Sequence, residues 1–182
     1  LPPNATVLGV FPGSWREAQT PLADVLEAAL PFLDLPNVYV VWIAGDDVDL
    51  LREKFAMKPR FLVREYEDAI DAWMAASDLA ITKCNRKSAF ELLRLGVPSV
   101  AISWGFNPID DAWVRRHDQI CWLSAASLTP TDLASYIQCA AAMGATEQPW
   151  PPQQVSGQGN QQILAYIRDW LRRTKKTVSA RA

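Results

Sequence analysis

The chain is short of histidine and cysteine and has no long apolar run, and each shortage removes a class of function. His117 is the only histidine in 182 residues. With no serine or cysteine elbow nearby, it reads as a surface or edge residue rather than a catalytic base. Cys84, Cys121 and Cys139 are odd in number and widely spaced, and no CxxC occurs. Neither a disulfide framework nor a zinc site is expected, and no metal or cofactor is implied; a reducing, cytoplasmic setting fits. No stretch reaches the roughly 18 apolar residues of a membrane span, and no signal peptide is recognisable. The Asn4-Ala5-Thr6 sequon has no other sign of secretion beside it and is read as chance. A net charge of −2 gives no general attraction to nucleic acid.

What is present is material for one large core. The composition is 49% apolar and 21% charged, which suits a single folded domain, with or without a tail, and argues against wholesale disorder. The chain opens on Leu1-Pro2-Pro3 rather than on Met, so residues 1–5 read as a linker from a preceding domain. Residues 6–143 form the expected domain. Residues 144–159, rich in Pro, Gln and Gly, read as a connector, and 160–182 as a final helix with a basic tail. That tail holds Arg168, Arg172, Arg173, Lys175, Lys176 and Arg181 against Asp169 alone. Two readings stand: a solvated helix end, or a contact with an acidic partner or acidic lipid at the inner membrane.

Strand and helix patterns alternate almost strictly. Strands are expected at 6–10, 38–44, 60–64, 78–82, 99–104 and 119–123. Helices are expected at 21–33, 46–55, 67–76, 88–95, 109–116 and 130–143, with Thr129 capping the last and Pro130 at its first position. This predicts an α/β domain: a doubly wound, Rossmann-like parallel sheet of about six strands with helices on both faces.

The densest signal is DLAITKCNRKSAFELLRLGVPSVAISWGFNPIDD at 78–111. A short apolar strand, Leu79 to Ile81, leads through a polar loop to Ser88, which opens a helical pattern closed by Gly96. A second strand follows from Pro98. Helix starts at the carboxyl ends of parallel strands are where such sheets take phosphates. Glu91, three residues after Ser88, is placed either to bind ribose hydroxyls or to complete a capping box with Ser88. Arg86 and Lys87 read as diphosphate ligands or as solvated loop charges. Asp110 and Asp111 can contact a sugar, or merely charge the first turn of a helix.

These motifs fall in an order that resembles the C-terminal, nucleotide-sugar-binding domain of GT-B glycosyltransferases. Glu65-Tyr66-Glu67-Asp68, Ser77-Asp78, Ser88-Ala89-Phe90-Glu91, Gly96-Val97-Pro98 and Asp110-Asp111-Ala112-Trp113 match, in register, the motif series of the enzymes that add GlcNAc to the lipid-linked muramoyl-pentapeptide. Phe11-Pro12-Gly13-Ser14 resembles the corresponding loop of lipid-A disaccharide synthases. The resemblance covers about residues 6–143. It implies a nucleotide-sugar donor as substrate, UDP-linked in most members, with lipid or cell-envelope acceptors. Gly13 and Ser14 would approach the diphosphate, Arg64, Tyr66 and Glu67 would cradle the base, Glu91 would hold ribose, and Asp110 and Asp111 would touch the donor sugar. Asn85 and Arg86, followed by Lys87, take the place of the family's Gly-Ala beside the phosphates, and Ser88 opens the matching motif that leads to Glu91. The acceptor-activating base would lie in an N-terminal domain outside this sequence. Two other functions remain open: a GT-B-like module that has lost donor binding, which the Asn85-Arg86-Lys87 departure motivates, and a nucleotide-sugar epimerase or hydrolase on the same fold, against which the single histidine weighs.

Overall fold

The computed structural model describes residues 2, 5–13, 16–35 and 37–144. Strands and helices alternate along them: β1 (Thr6–Phe11), α1 (Arg16–Ala29), β2 (Val38–Ile43), α2 (Val48–Lys54), β3 (Phe61–Arg64), α3 (Ile70–Ala75), β4 (Leu79–Lys83), α4 (Arg86–Leu95), β5 (Ser99–Ser103), α5 (Pro108–Val114), β6 (Ile120–Ser124) and α6 (Pro130–Gly144). The six strands form one sheet in the order β3-β2-β1-β4-β5-β6, and every neighbouring pair is parallel. This is the expected doubly wound, Rossmann-like architecture. The expected connector and basic helix beyond 144 lie outside the described residues.

Both faces of the sheet are covered, which explains why the central strands read as unbroken apolar runs. Alternate residues serve opposite faces. Leu8, Val10, Val40, Trp42, Leu79, Ile81, Val100 and Ile102 meet Leu22 and Leu26 of α1, Leu51 of α2, and Leu133 and Ile137 of α6. Phe11, Val41, Ile43 and Ala80 meet Met74 of α3 and Leu92 of α4, while Ala101 and Ile120 meet Ala89 of α4 and Val114 of α5. The register lines up a row of partners across the sheet, Val63, Trp42, Val10, Ile81, Val100 and Cys121, so a one-residue slip would exchange the two faces.

Several helix starts differ from expectation: α2 begins at Val48 rather than 46 and α3 at Ile70 rather than 67, and two further differences bear on the site. The first helix begins at Arg16 rather than Pro21, and Pro21 sits inside its second turn. The early turn is retained although the proline forgoes one backbone bond, because it carries a buried side chain, Gln19, into the core. The fourth helix begins at Arg86 and is capped by Asn85, whose side-chain oxygen accepts from the Ser88 amide at 2.8 Å. Ser88 is therefore the third helical residue and not the cap. Asparagine outcompetes serine here because the extended backbone of Asn85 aims its carbonyl oxygen at the helix end. At the far end, Thr129 caps α6 as expected, its hydroxyl accepting from the Asp132 amide at 3.1 Å.

Candidate functional site

The strand order reverses between β1 and β4, and ligands of such sheets sit outside the carboxyl ends of the strands at that switch. Here the loops after β1, β2 and β3 and the start of α4 enclose a cavity of about 300 Å³. Its floor is apolar: Phe11, Ile43, Ile70 and Met74. Its rim is polar or bare backbone: Gly13, Gly45, Tyr66, Glu67, Lys87, Ser88 and Glu91. An apolar floor with a few convergent polar groups is the usual make-up of a small-molecule site. Of the residues expected at the site, Gly13, Tyr66, Glu67, Lys87, Ser88 and Glu91 line this one space, whereas Arg64, Asn85, Arg86, Asp110 and Asp111 do not. Ser14 lies outside the described residues.

Each rim residue is placed by its local backbone. Gly13 has φ +74°, and a Cβ there would meet no atom within 4 Å, so the glycine is required by its left-handed turn and leaves open space above the backbone. Gly45, also left-handed at φ +56°, lies under the Tyr66 ring; a Cβ on it would come 3.3 Å from the ring carbons. Tyr66 is thereby laid across the β2 exit, 62% exposed, with a ring face free to stack. The β2 and β3 exits are tied together by Ala44 N–H to the Arg64 carbonyl at 2.8 Å and Gly45 N–H to the Glu65 carbonyl at 3.1 Å. Arg64 is not on the cavity wall. Its Nε donates to Glu67 Oε1 at 2.7 Å and its guanidinium lies 6.0 Å from the Trp73 ring, so it acts by holding Glu67. That bond from Arg64, helped by Trp73, keeps the Glu67 carboxyl below its ordinary value.

Glu91, six residues beyond the Asn85 cap and so in the second turn of α4, lines the cavity. With Asn85 as cap, Glu91 takes no part in a capping box. Among the described residues neither Glu91 nor Lys87 has a hydrogen-bond or ion-pair partner. A carboxylate and an ammonium bordering one cavity without partners are the groups a ligand would satisfy.

The residues expected at a donor sugar are arranged differently. Asp110 Oδ1 accepts from Arg86 Nε at 2.5 Å, so this acid and this base satisfy each other. Asp111 turns away from the cavity. Its Oδ2 accepts from the Ser103 hydroxyl at 2.8 Å, and Trp122 Nε1 lies 3.5 Å from its Oδ1. Burial raises its pKa, but the bonds from Ser103, Cys84 and Trp122 outweigh burial and hold it below the ordinary value. The same neighbourhood pushes the Cys84 thiol up to about 12, through burial first and the Asp111 carboxylate second. Asp111 borders a separate, more open hollow of about 510 Å³ with Trp104, Arg115 and Trp122, where the Arg115 guanidinium stacks 3.6 Å from the Trp122 ring. His117 is half-buried, its Nδ1 2.8 Å from the Trp113 carbonyl and its ring against the Trp113 indole.

One residue was not singled out by motif. Gln19 is 1% exposed. Its Nε2 donates to the Ala44 carbonyl at 2.7 Å and reaches the Gly13 carbonyl at 3.5 Å, while its Oε1 accepts from Trp42 Nε1 at 3.0 Å. It joins the β1 and β2 exits from below and so fixes the spacing of the cavity's glycine walls. The signal was present: Gln19 occupies the apolar stripe that continues as Leu22, Ala23 and Leu26, and an amide at such a position must find buried partners. Thr82 does similar service across the switch, its hydroxyl donating to the Phe11 carbonyl at 3.1 Å.

No protein-family model and no curated protein matches the chain. Solved structures do. MurG of Acinetobacter baumannii is 17% identical with a TM-score of 0.71, over 93% of this chain and 51% of its own. The calicheamicin glycosyltransferase CalG4 is 20% identical with a TM-score of 0.68, over 96% of this chain and 46% of its own. MnaA of S. aureus in complex with UDP is 12% identical with a TM-score of 0.66, over 93% of this chain and 46% of its own. The chain spans about half the length of these proteins. At such identities the likeness speaks to architecture, and it shows that the chain has the fold of the C-terminal, Rossmann-like half of a GT-B glycosyltransferase.

Proposed function

We propose that this chain is the donor-binding half of a glycosyltransferase and that its cavity takes the nucleoside of a nucleotide-activated sugar, UDP-linked in the first instance. The observation that carries this is the meeting, at the β1/β4 switch, of Glu91 and Lys87, neither with a side-chain partner among the described residues, with the Tyr66 ring and the open Gly13 backbone around an apolar floor. The Tyr66 face suits a base, the Glu91 carboxylate accepts from two vicinal ribose hydroxyls, and Lys87 and the Gly13 turn offer charge and backbone approach to phosphates. The UDP bound in the MnaA structure supports the choice of nucleotide. The acceptor, in this reading, is a lipid-linked or cell-envelope molecule, on the strength of the motif order shared with the lipid-intermediate GlcNAc transferases. The basic run at 168–181 suits contact with an anionic membrane surface in that reading.

Transfer itself requires a second domain. Glycosyl transfer needs donor and acceptor held together and shielded from water, and this chain spans about half the length of its structural neighbours. The purified chain is therefore expected to bind nucleotide without transferring sugar. Calorimetric titration with UDP, UDP-GlcNAc, GDP and TDP tests the binding, and a transfer assay on a lipid extract tests the second point. Saturable binding with no transfer is the expected result. Failure of every nucleotide to bind at millimolar concentration would leave a GT-B-like module without donor binding.

A further inference from the structure

The first turn of α4 carries two cations, Arg86 and Lys87, and no acid. Positive side chains at the positive end of a helix are unfavourable unless an anion lies close by. The two residues meet that condition differently. Lys87 borders the cavity and has no partner among the described residues. Arg86 is already engaged: its Nε donates to Asp110 Oδ1 at 2.5 Å. The partners are unequal, with the Asp110 side chain 13% exposed and that of Arg86 57% exposed. Asp110 is also the anchored one. It lies in the first turn of α5, where the Asn107 side chain accepts from the Ile109 and Asp110 amides at 3.1 and 3.4 Å.

An arginine grips a phosphate most firmly side-on, using Nε together with one Nη. With Nε on Asp110, that edge of Arg86 is taken. We propose that Asp110 is an internal competitor for the phosphates: its carboxylate occupies the arginine that a diphosphate beside Lys87 would use, and so sets both the affinity and the phosphate-number selectivity of the site. Asp110 thereby acts against phosphate and makes no sugar contact. This inference rests on the nucleotide reading of the same cavity. A diphosphate brings more than one negative charge within a few ångströms of Asp110, whereas a nucleoside brings none, so the competition grows with phosphate number and is screened by salt.

The test is calorimetric titration of the 182-residue chain and its Asp110→Asn, Asp110→Glu, Arg86→Gln and Asp110→Asn/Arg86→Gln variants, with uridine, UMP, UDP and inorganic pyrophosphate as probes. Removing one like charge near the anion and freeing the guanidinium edge should tighten UDP and pyrophosphate roughly 3- to 10-fold in Asp110→Asn. UMP should gain less and uridine nothing. Asp110→Glu, which keeps the charge, should stay near wild type. The gain should be smaller in the Arg86→Gln background, where only the like-charge part remains, and should shrink further at about 0.5 M salt. Unchanged or weaker UDP and pyrophosphate binding by a folded Asp110→Asn protein would overturn the proposal, whatever uridine does. Should Asp110→Asn not fold, Asp110→Ala takes its place with the same expected tightening, and unchanged or weaker UDP and pyrophosphate binding by it would overturn the proposal. The two readings separate cleanly. Pyrophosphate tightening without any uridine or UDP binding keeps the competitor and rejects the nucleoside site; UDP binding indifferent to Asp110 does the reverse; no binding of any probe to any variant rejects both.

Discussion

Along the carboxyl edge of the sheet, the side chains around the exits of β1 to β4 border a cavity, and two of them, Lys87 and Glu91, have no partner among the described residues. One strand further on, around β5 and β6, the polar groups are spent on one another. Asp110 is paired with Arg86, and Asp111 with Ser103, Trp122 and Cys84. Both regions carry acids near the starts of helices and would look alike in a list of polar residues. The difference lies in satisfaction. A buried or half-buried polar group with its bonds made contributes to the fold, whereas one left open beside an apolar floor is set for a ligand. The same contrast separates Gln19, buried and fully engaged beneath the cavity, from Glu91 on its rim.

The comparison sharpens through substitution, and the largest effect is expected at Gln19. Gln19→Leu would leave the buried Trp42 N–H without its partner, at about 1–3 kcal/mol, and the Ala44 carbonyl with only the 3.4 Å bond from the Asp47 amide. A loss of roughly 1–4 kcal/mol should appear as a melting temperature lower by about 3–12 °C. A melting temperature within a degree of wild type would mean that Gln19 does not brace the cavity. A smaller effect is expected at Asp111, and it depends on pH. Its pKa is depressed in the folded chain, so on acidification the unfolded chain takes up this proton first. Its stabilising contribution is complete above the ordinary carboxylate range and is lost as pH falls through that range toward the folded value. Asp111→Asn should therefore lower stability at pH 7 and flatten the acid limb of the stability profile, while leaving UDP affinity within about twofold. A large loss of UDP binding with an unaltered acid limb would move Asp111 from the fold to the site.

Much of this was legible in the sequence, for physical reasons that also explain what was not. The buried parallel strands announce themselves because both faces are covered, so runs such as Val38 to Ile43 are apolar throughout. That Gly13, Tyr66, Lys87 and Glu91 border one cavity was legible because the loops and helix starts after parallel strands gather at one edge of the sheet, and the strands were readable. Pairing was not legible. Whether Arg86 meets a phosphate or Asp110, residues far apart in sequence, depends on the angle between two loop-helix junctions, which no periodicity encodes. Arg64 likewise falls on a site segment yet acts through Glu67. The choice of Asn85 over Ser88 as cap turned on backbone direction at a single residue. The α1 start was misplaced because proline's preference for a first helical position gave way to the burial of Gln19.

The most direct test of the account is the affinity of the chain for UDP with and without the Glu91 carboxylate. A charge-assisted hydrogen bond is worth about 1.5–3 kcal/mol, so Glu91→Ala should weaken UDP by roughly tenfold to a hundredfold, while its melting temperature without ligand stays close to wild type. Wild-type affinity for UDP in Glu91→Ala, or no UDP binding by the wild-type chain at millimolar concentration, would contradict the claim that this cavity is a nucleotide site.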